Sequence, residues 1–85
     1  MKKIVKFGAS WCNPCKVLDN VLDKFKEKHP DVKIEHIDVD ENVDLTTEHS
    51  VRNVPTCVFY DGDEQVGRVN GTFTATRAEE ILKLY

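Results

Sequence analysis

The apolar positions of the chain fall into short runs and longer periodic stretches. Four short, mostly apolar and β-favouring runs predict strands over residues 3–7, 32–39, 56–60 and 65–69. The turn signal Asp61-Gly62-Asp63 joins the last two runs and predicts an antiparallel hairpin. Polar residues interrupt the second run, which indicates an edge strand; they are Lys33, Glu35 and Asp38.

Helical periodicity is clearest between residues 12 and 28. The apolar positions there recur with a period of about 3.6, and they are Val17, Leu18, Val21, Leu22 and Phe25. A weaker pattern predicts a short helix over residues 43–50. Residues 76–84 predict a last helix, in which Thr76 and Glu79 fit a capping box. Its apolar face is expected to carry Ile81, Leu82 and Tyr85.

The predicted order is β-α-β-α-β-β-α. The first strand–helix–strand crossover predicts a parallel pair, and the hairpin adds antiparallel strands. The expected fold class is therefore α/β, a mixed four-stranded sheet with helices on both faces. Because 85 residues leave no room for a second core, residues 1–85 are expected to form a single domain.

Composition and charge exclude several classes of function. The formal net charge is −3, which provides no excess of lysine and arginine to follow nucleic-acid phosphates. The chain has no apolar run long enough for a membrane span or a signal-peptide core. We therefore expect a cytoplasmic protein, a monomer, with neither nucleic-acid nor membrane partners.

The candidate chemistry is carried by a C-x-x-C pair, Cys12 and Cys15, at the start of the first predicted helix. Residues three apart on a helix share one face, so the two thiols can close a small disulfide. Free N–H groups and the helix dipole stabilise a thiolate at the N-terminus, which makes an exposed Cys12 the expected nucleophile. Cys15, one turn further in, is expected to be more buried and to resolve a mixed disulfide. Trp11 would give a protein substrate a flat apolar surface beside the nucleophile.

A structural zinc site is an alternative use of the pair. Zinc requires four ligands, but the chain has no second C-x-x-C, and its other candidate ligands are scattered: His29, His36, His49 and Cys57. We expect no metal site and no bound cofactor, and Cys57 is expected to pack in the core. A non-enzymatic module that binds a partner or zinc stays open as an alternative interpretation.

The residues from Trp11 to Lys16, Trp-Cys-Asn-Pro-Cys-Lys, resemble the active-site motif of thioredoxins, with Asn13 where that family has glycine. The segment Val51-Arg52-Asn53-Val54-Pro55-Thr56 is similar to the second conserved block of the family, and Gly71 matches a glycine before the last helix. The resemblance covers nearly the whole chain. The chain does not contain a counterpart of the N-terminal strand and helix of full-length thioredoxins, so it looks like a minimal, glutaredoxin-sized form.

The resemblance implies a thioredoxin-like fold and a redox-active disulfide that serves electron transport and cell redox homeostasis. The implied enzyme is a thiol–disulfide oxidoreductase that reduces disulfide-containing client proteins. Thioredoxin reductase or glutathione would supply its electrons. A glutaredoxin-like, glutathione-dependent reductase is the main alternative: the short chain favours it, whereas the Trp-Cys-Asn-Pro-Cys motif disfavours it.

The resemblance also implies roles for residues outside the motif. Pro55 would follow a cis peptide bond, and the substrate-binding residues would be Trp11, Pro14, Val54, Pro55, Asn70 and Gly71. Thioredoxins carry a buried aspartate six residues before the first cysteine, where this chain has Lys6. The Lys6 amine either reaches solvent at the sheet end or lies partly buried near the dithiol. The candidates for tuning the thiol pKa are Lys6, Lys16, His36 and Asp38.

Overall fold

Residues 1–84, which the computed structural model describes, form four strands and three helices in the predicted order. The strands are β1 (Lys2–Gly8), β2 (Lys33–Asp38), β3 (Thr56–Asp61) and β4 (Glu64–Asn70). The helices are α1 (Asn13–Lys28), α2 (Val43–Glu48) and α3 (Ala75–Leu82). Each boundary lies within two residues of its predicted position. Tyr85, assigned above to the apolar face of the last helix, lies outside the described residues.

The strands form one mixed sheet in the order β2-β1-β3-β4. β1 is parallel to β2 and antiparallel to β3, and β3 forms the predicted antiparallel hairpin with β4. β2 lies at the edge, as its polar residues predict. That residues 1–85 are a single domain stays a prediction. No helix within residues 1–84 is both long and apolar enough to cross a membrane.

The two faces of the sheet carry separate apolar clusters. The larger cluster joins the sheet to α1 and α3, and its members include Ile4, Leu18, Leu22, Phe25, Phe59, Phe73 and Leu82. The smaller cluster, on the opposite face, consists of Val5, Phe7 and Val58. The residue that ends α2, His49, lies over this second face, with its ring centroid 5.1 Å from that of Phe7. The predicted arrangement, with helices on both faces, is thus confirmed.

Two details of the helices correct the sequence-based expectations. Val17 is 59% exposed, because the buried face of α1 runs through Cys15, Leu18, Leu22 and Phe25 and leaves Val17 to one side. The N-cap of α3 is Thr74, whose Oγ1 accepts a hydrogen bond from the Arg77 N–H at 3.2 Å. The helix therefore begins before Thr76.

The predicted capping box of α3 is wrong for a second reason, which concerns Glu79. Its carboxylate lies 2.7 Å from His29 Nε2 and 3.0 Å from Lys28 Nζ, both at the end of α1. Glu79 therefore connects the two helices instead of bonding back to the cap of its own helix. His29, the C-cap residue of α1, takes part in this contact.

The sheet register brings three connecting segments to one end of the molecule. β1 ends at Gly8, and its Phe7 pairs with Thr56, the first residue of β3. Thr56 in turn pairs with Asn70, the last residue of β4. The segment that carries the cysteines, the segment before β3 and the segment after β4 therefore meet at the same sheet end.

Candidate active site

Cys12 and Cys15 form a disulfide at the start of α1, with their Cα atoms 5.3 Å apart. Cys12 is the N-cap, and its Sγ accepts a hydrogen bond from the Cys15 N–H at 3.2 Å. Pro14 lies in the first helical turn, where its missing N–H leaves no hydrogen bond unmade. After reduction, a Cys12 thiolate at this position would face backbone N–H groups and the positive end of the helix dipole.

The two cysteines are almost equally buried, at 4% exposed for Cys12 and 2% for Cys15. The expectation of an exposed Cys12 is therefore wrong for the disulfide form. Its Sγ turns over the first helical turn to meet the Cys15 N–H, and this removes it from solvent. The residue before it, Trp11, is 67% exposed and gives the site its accessible surface.

Trp11 borders a pocket of about 370 Å³, which we call the Trp11 groove. Other residues that line it are Val39, Val51, Arg52, Asn53 and Val54. The indole Nε1 donates to Asp40 Oδ2 at 2.9 Å, and this bond holds the ring against the segment that follows β2. The groove thus combines apolar walls with polar side chains beside the disulfide.

The segment before β3 contains the cis peptide bond between Val54 and Pro55 that the resemblance implies. The Gly71 N–H donates to the Pro55 carbonyl at 2.7 Å, so the segments before β3 and after β4 are joined. A Cβ built on Gly71 would meet no atom within 4 Å, but its φ of +101° is one that residues with side chains rarely adopt. The Thr56 hydroxyl donates to the Asn53 carbonyl at 2.7 Å, and its oxygen lies 3.3 Å from Asn70 Oδ1, so Asn70 lies against the same segment.

Lys6 is buried, with 5% of its surface exposed, and its Nζ forms an ion pair with Asp19. The interpretation in which its amine reaches solvent is therefore wrong. A Cβ built on Gly8 would lie 3.3 Å from both Lys6 Nζ and Cys15 Sγ. The amine and the sulfur can thus be no more than twice that distance apart, which confirms a buried lysine near the dithiol.

The other candidates for tuning the thiols lie further out. His36 is half-exposed, and its Nδ1 lies 3.6 Å from Asp19 Oδ1. Asp38 Oδ1 accepts from the Asp40 N–H at 2.8 Å and so fixes the loop after β2. Lys16 is exposed on α1. Of these three residues, His36 contacts Asp19 of the pair, and Asp38 lines the same cleft as Lys6 and Asp19.

Sequence reasoning missed two residues of the site, Asp19 and Asp40. Asp19 follows Cys15 by four residues, so helical spacing alone places it one turn further along the same face, next to the strand that carries Lys6. Asp40 is 29 residues from Trp11, and no local pattern predicts their hydrogen bond.

Cys57 takes no part in the disulfide and is fully buried in β3, as expected. Burial raises the pKa of its thiol from an ordinary value of 9.0 to about 12, although the nearby Lys6 charge acts to lower it. Within residues 1–84, no group of three or more His, Cys, Asp or Glu side chains is placed to hold a metal ion.

Comparison with known proteins identifies the family. The family model described as thioredoxin matches residues 1–83. Thioredoxin-2 of Saccharomyces cerevisiae is 37% identical over 78 residues, which are 92% of this chain and 75% of that protein. A thioredoxin of Ophiophagus hannah is 37% identical over 82 residues, 96% of this chain and 77% of that protein.

Solved structures give the same result. The oxidised form of mitochondrial thioredoxin 3 from Saccharomyces cerevisiae superposes with a TM-score of 0.86 at 33% identity, covering 99% of this chain and 78% of that one. The relatives named here are thioredoxins and not glutaredoxins. Together with the Cys12–Cys15 disulfide at the start of α1, these matches show that the chain belongs to the thioredoxin family and is a thiol–disulfide oxidoreductase that reduces disulfides.

Proposed function

We propose that the protein reduces disulfides of client proteins through a mixed disulfide, with Cys12 as nucleophile and Cys15 as resolving thiol. The Cys12 thiolate attacks one sulfur of the client disulfide, and the other client sulfur leaves with the electron pair and takes up a proton. Cys15 then attacks Cys12 Sγ, forms the Cys12–Cys15 disulfide and releases the second client thiol. Two electrons pass to the client in each cycle.

The observation that carries this proposal is the place of Cys12 at the N-cap of α1. Its Sγ already accepts the Cys15 N–H, and a negative charge on the sulfur strengthens such a bond. Cys15 lies inside the first turn and lacks that position. The asymmetry favours the thiolate at Cys12 and assigns the attack to it.

We also propose that an extended client segment binds across the Trp11 groove. Val54 lies just before β3, so its backbone is free of the strand ladder and can pair with the client as a short added strand. Trp11 and Pro14 would contact client side chains. Gly71 has a different role, because its N–H donates to the Pro55 carbonyl and so holds the proline segment in place. Asn70, whose Oδ1 lies 3.3 Å from the Thr56 hydroxyl oxygen, borders the same segment.

Trapping experiments test the assignment of the two cysteines. Cys15→Ser should accumulate a stable mixed disulfide with a disulfide-bonded protein such as insulin, and Cys12→Ser should not. The matched control is Cys57→Ser, which should turn over like the parent protein. Trapping by Cys12→Ser instead of Cys15→Ser would reverse the roles proposed here.

We propose thioredoxin reductase as the electron donor, because the family and the Trp-Cys-Asn-Pro-Cys motif are those of thioredoxins. Insulin reduction should proceed with NADPH and thioredoxin reductase and be slow with glutathione and glutathione reductase. Faster turnover with glutathione would establish the glutaredoxin-like alternative.

We further propose that the protein works as a monomer in the cytoplasm. A single chain supplies every residue of the Trp11 groove, and a disulfide reductant requires a reducing compartment. Sedimentation of the reduced protein and fractionation of the source cells test the two statements. A dimer, or recovery outside the cytoplasmic fraction, would contradict them.

A further inference from the structure

A buried ion pair lies behind the disulfide, on the sheet face that α1 covers. Lys6 is in register with Cys57 of the neighbouring strand, so their side chains project from the same face. Its ammonium is neutralised by Asp19, one helical turn beyond Cys15. An unpaired charge at such a buried position would be strongly unfavourable, so the pair forms as a unit.

The Lys6 ammonium is close enough to Cys15 to stabilise a negative charge on its sulfur. Lys6 Nζ and Cys15 Sγ both lie 3.3 Å from the position that a Cβ on Gly8 would occupy. Between buried charges at such distances, electrostatic energies are several times those in water. A thiolate on Cys15 would therefore be stabilised by Lys6, at the step where the resolving sulfur must become an anion.

We propose that Lys6, held by Asp19, is a positioning residue that promotes ionisation of the Cys15 thiol when the mixed disulfide is resolved. Cys15 loses its proton to solvent. Gly8, which lies against Cys15 Sγ, lines a solvent cleft together with Lys6 and Asp19. The Cys15 thiolate then attacks Cys12 Sγ, and the bond between Cys12 and the client sulfur breaks. The client sulfur leaves with the electron pair and takes a proton from solvent.

Other charged groups face the pair from each neighbouring element. α1 contributes Asp23, and β2 contributes His36 and Asp38, all of which line the cleft. β3 contributes Cys57, whose thiol stays protonated at neutral pH because burial raises its pKa to about 12. Cys57 therefore does not draw the charge of Lys6 away from Cys15. Protonation of the half-exposed His36, 3.6 Å from Asp19, would add a second positive charge to the cluster.

This inference rests on the proposed role of Cys15, and its test separates the two. In a Cys12→Ser background, thiolate absorbance at 240 nm reports Cys15, because Cys57 titrates far higher. Lys6→Met should move the Cys15 midpoint upward by about one pH unit, which is about a tenfold smaller thiolate fraction below the midpoint. Lys6→Arg, which keeps the charge, should leave the midpoint near that of the parent.

Two further variants distinguish the effect of the Lys6 charge on the Cys15 midpoint from other effects of the substitution. Lys6→Met combined with Asp19→Asn removes the unpaired carboxylate that the single variant leaves, and its midpoint should remain raised. Lys24→Met removes an exposed lysine from the same helix, and its midpoint should not move. Circular dichroism and chemical unfolding establish that each variant is folded. An unchanged midpoint in folded Lys6→Met, or an equal shift in Lys24→Met, would overturn the inference.

A kinetic measurement gives the second readout. With both cysteines present, Lys6→Met should slow release of the second client thiol about tenfold at neutral pH, and the difference should vanish at high pH. Formation of the mixed disulfide should be little affected. If Cys15→Ser traps no mixed disulfide, the proposed function fails. If it does and Lys6→Met resolves at the parental rate, only the inference about Lys6 fails.

Discussion

The buried thiol of Cys57 leads to a prediction about stability at high pH. Burial raises its pKa from 9.0 to about 12 in the folded protein, whereas the unfolded chain has the ordinary value. Between these two values, the unfolded chain releases a proton that the folded protein keeps. The stabilisation is therefore fully present below about pH 9, and it is lost as the pH rises towards about 12.

The magnitude follows from the size of the shift. Each pH unit above about 9 should remove about 1.4 kcal/mol of the contribution of Cys57 to the free energy of unfolding. At pH 10.5 the accumulated loss should be about 2 kcal/mol, a large part of the stability of a small domain. The contribution of Cys57 is therefore measured as a difference between two proteins that differ only at residue 57.

Urea unfolding of two matched proteins isolates the contribution of Cys57 to the free energy of unfolding. Both carry Cys12→Ser and Cys15→Ser, and one also carries Cys57→Ala. Below about pH 8.5, the difference in their free energies of unfolding should be constant and should reflect the cavity left by the thiol. By pH 10.5 it should shrink by about 2 kcal/mol. Parallel pH profiles up to that point would refute the burial argument.

Three more predictions concern packing, the proline segment and the contact between α1 and α3. In Gly67→Ala the new Cβ would lie 2.6 Å from Ile81 Cγ2, so the free energy of unfolding should fall by about 1–3 kcal/mol. The fall should be smaller in an Ile81→Ala background, and additive losses would contradict this contact. Arg68 donates to the carbonyls of His49 and Ser50, just before the proline segment. Arg68→Ala should therefore raise KM for insulin and leave the redox potential unchanged, whereas a shifted potential would argue against a purely positioning role. Hydrogen bonds from His29 and Lys28 lower the pKa of Glu79. The resulting stabilisation of the folded protein is present above about pH 4.5 and is lost as acid titrates the folded carboxylate. Glu79→Gln should flatten the acid limb of the pH–stability profile, and an unaltered limb would contradict this argument.

The order of elements could be predicted from the sequence because each depends on local periodicity. The polar residues of β2 marked it as an edge strand, and the Asp61-Gly62-Asp63 turn marked the hairpin. The cysteine pair was equally local, since three residues of spacing at a helix start determine its chemistry. Errors of local reasoning arose where several hydroxyls compete, as when Thr74 and not Thr76 caps α3.

The contacts around the disulfide depend on how elements cross and were beyond sequence reasoning. Whether Lys6 reaches solvent is decided by the side chain at position 19, which the packing of α1 on β1 brings beside it. Trp11 and Asp40 meet because the sheet brings the end of β1 beside the end of β2, where the Val39 N–H donates to the Gly8 carbonyl at 3.0 Å. The burial of Cys12 depends on the rotamer of its side chain in the disulfide form.

The position of Trp11 makes the protein its own optical probe. It is the only tryptophan in the chain, it directly precedes Cys12, and its hydrogen bond to Asp40 limits rotation of the ring. A disulfide quenches the excited state of a neighbouring indole more strongly than two thiols do. The emission of the unlabelled protein should therefore rise on reduction, so that each half of the catalytic cycle can be followed in real time in a stopped-flow cell.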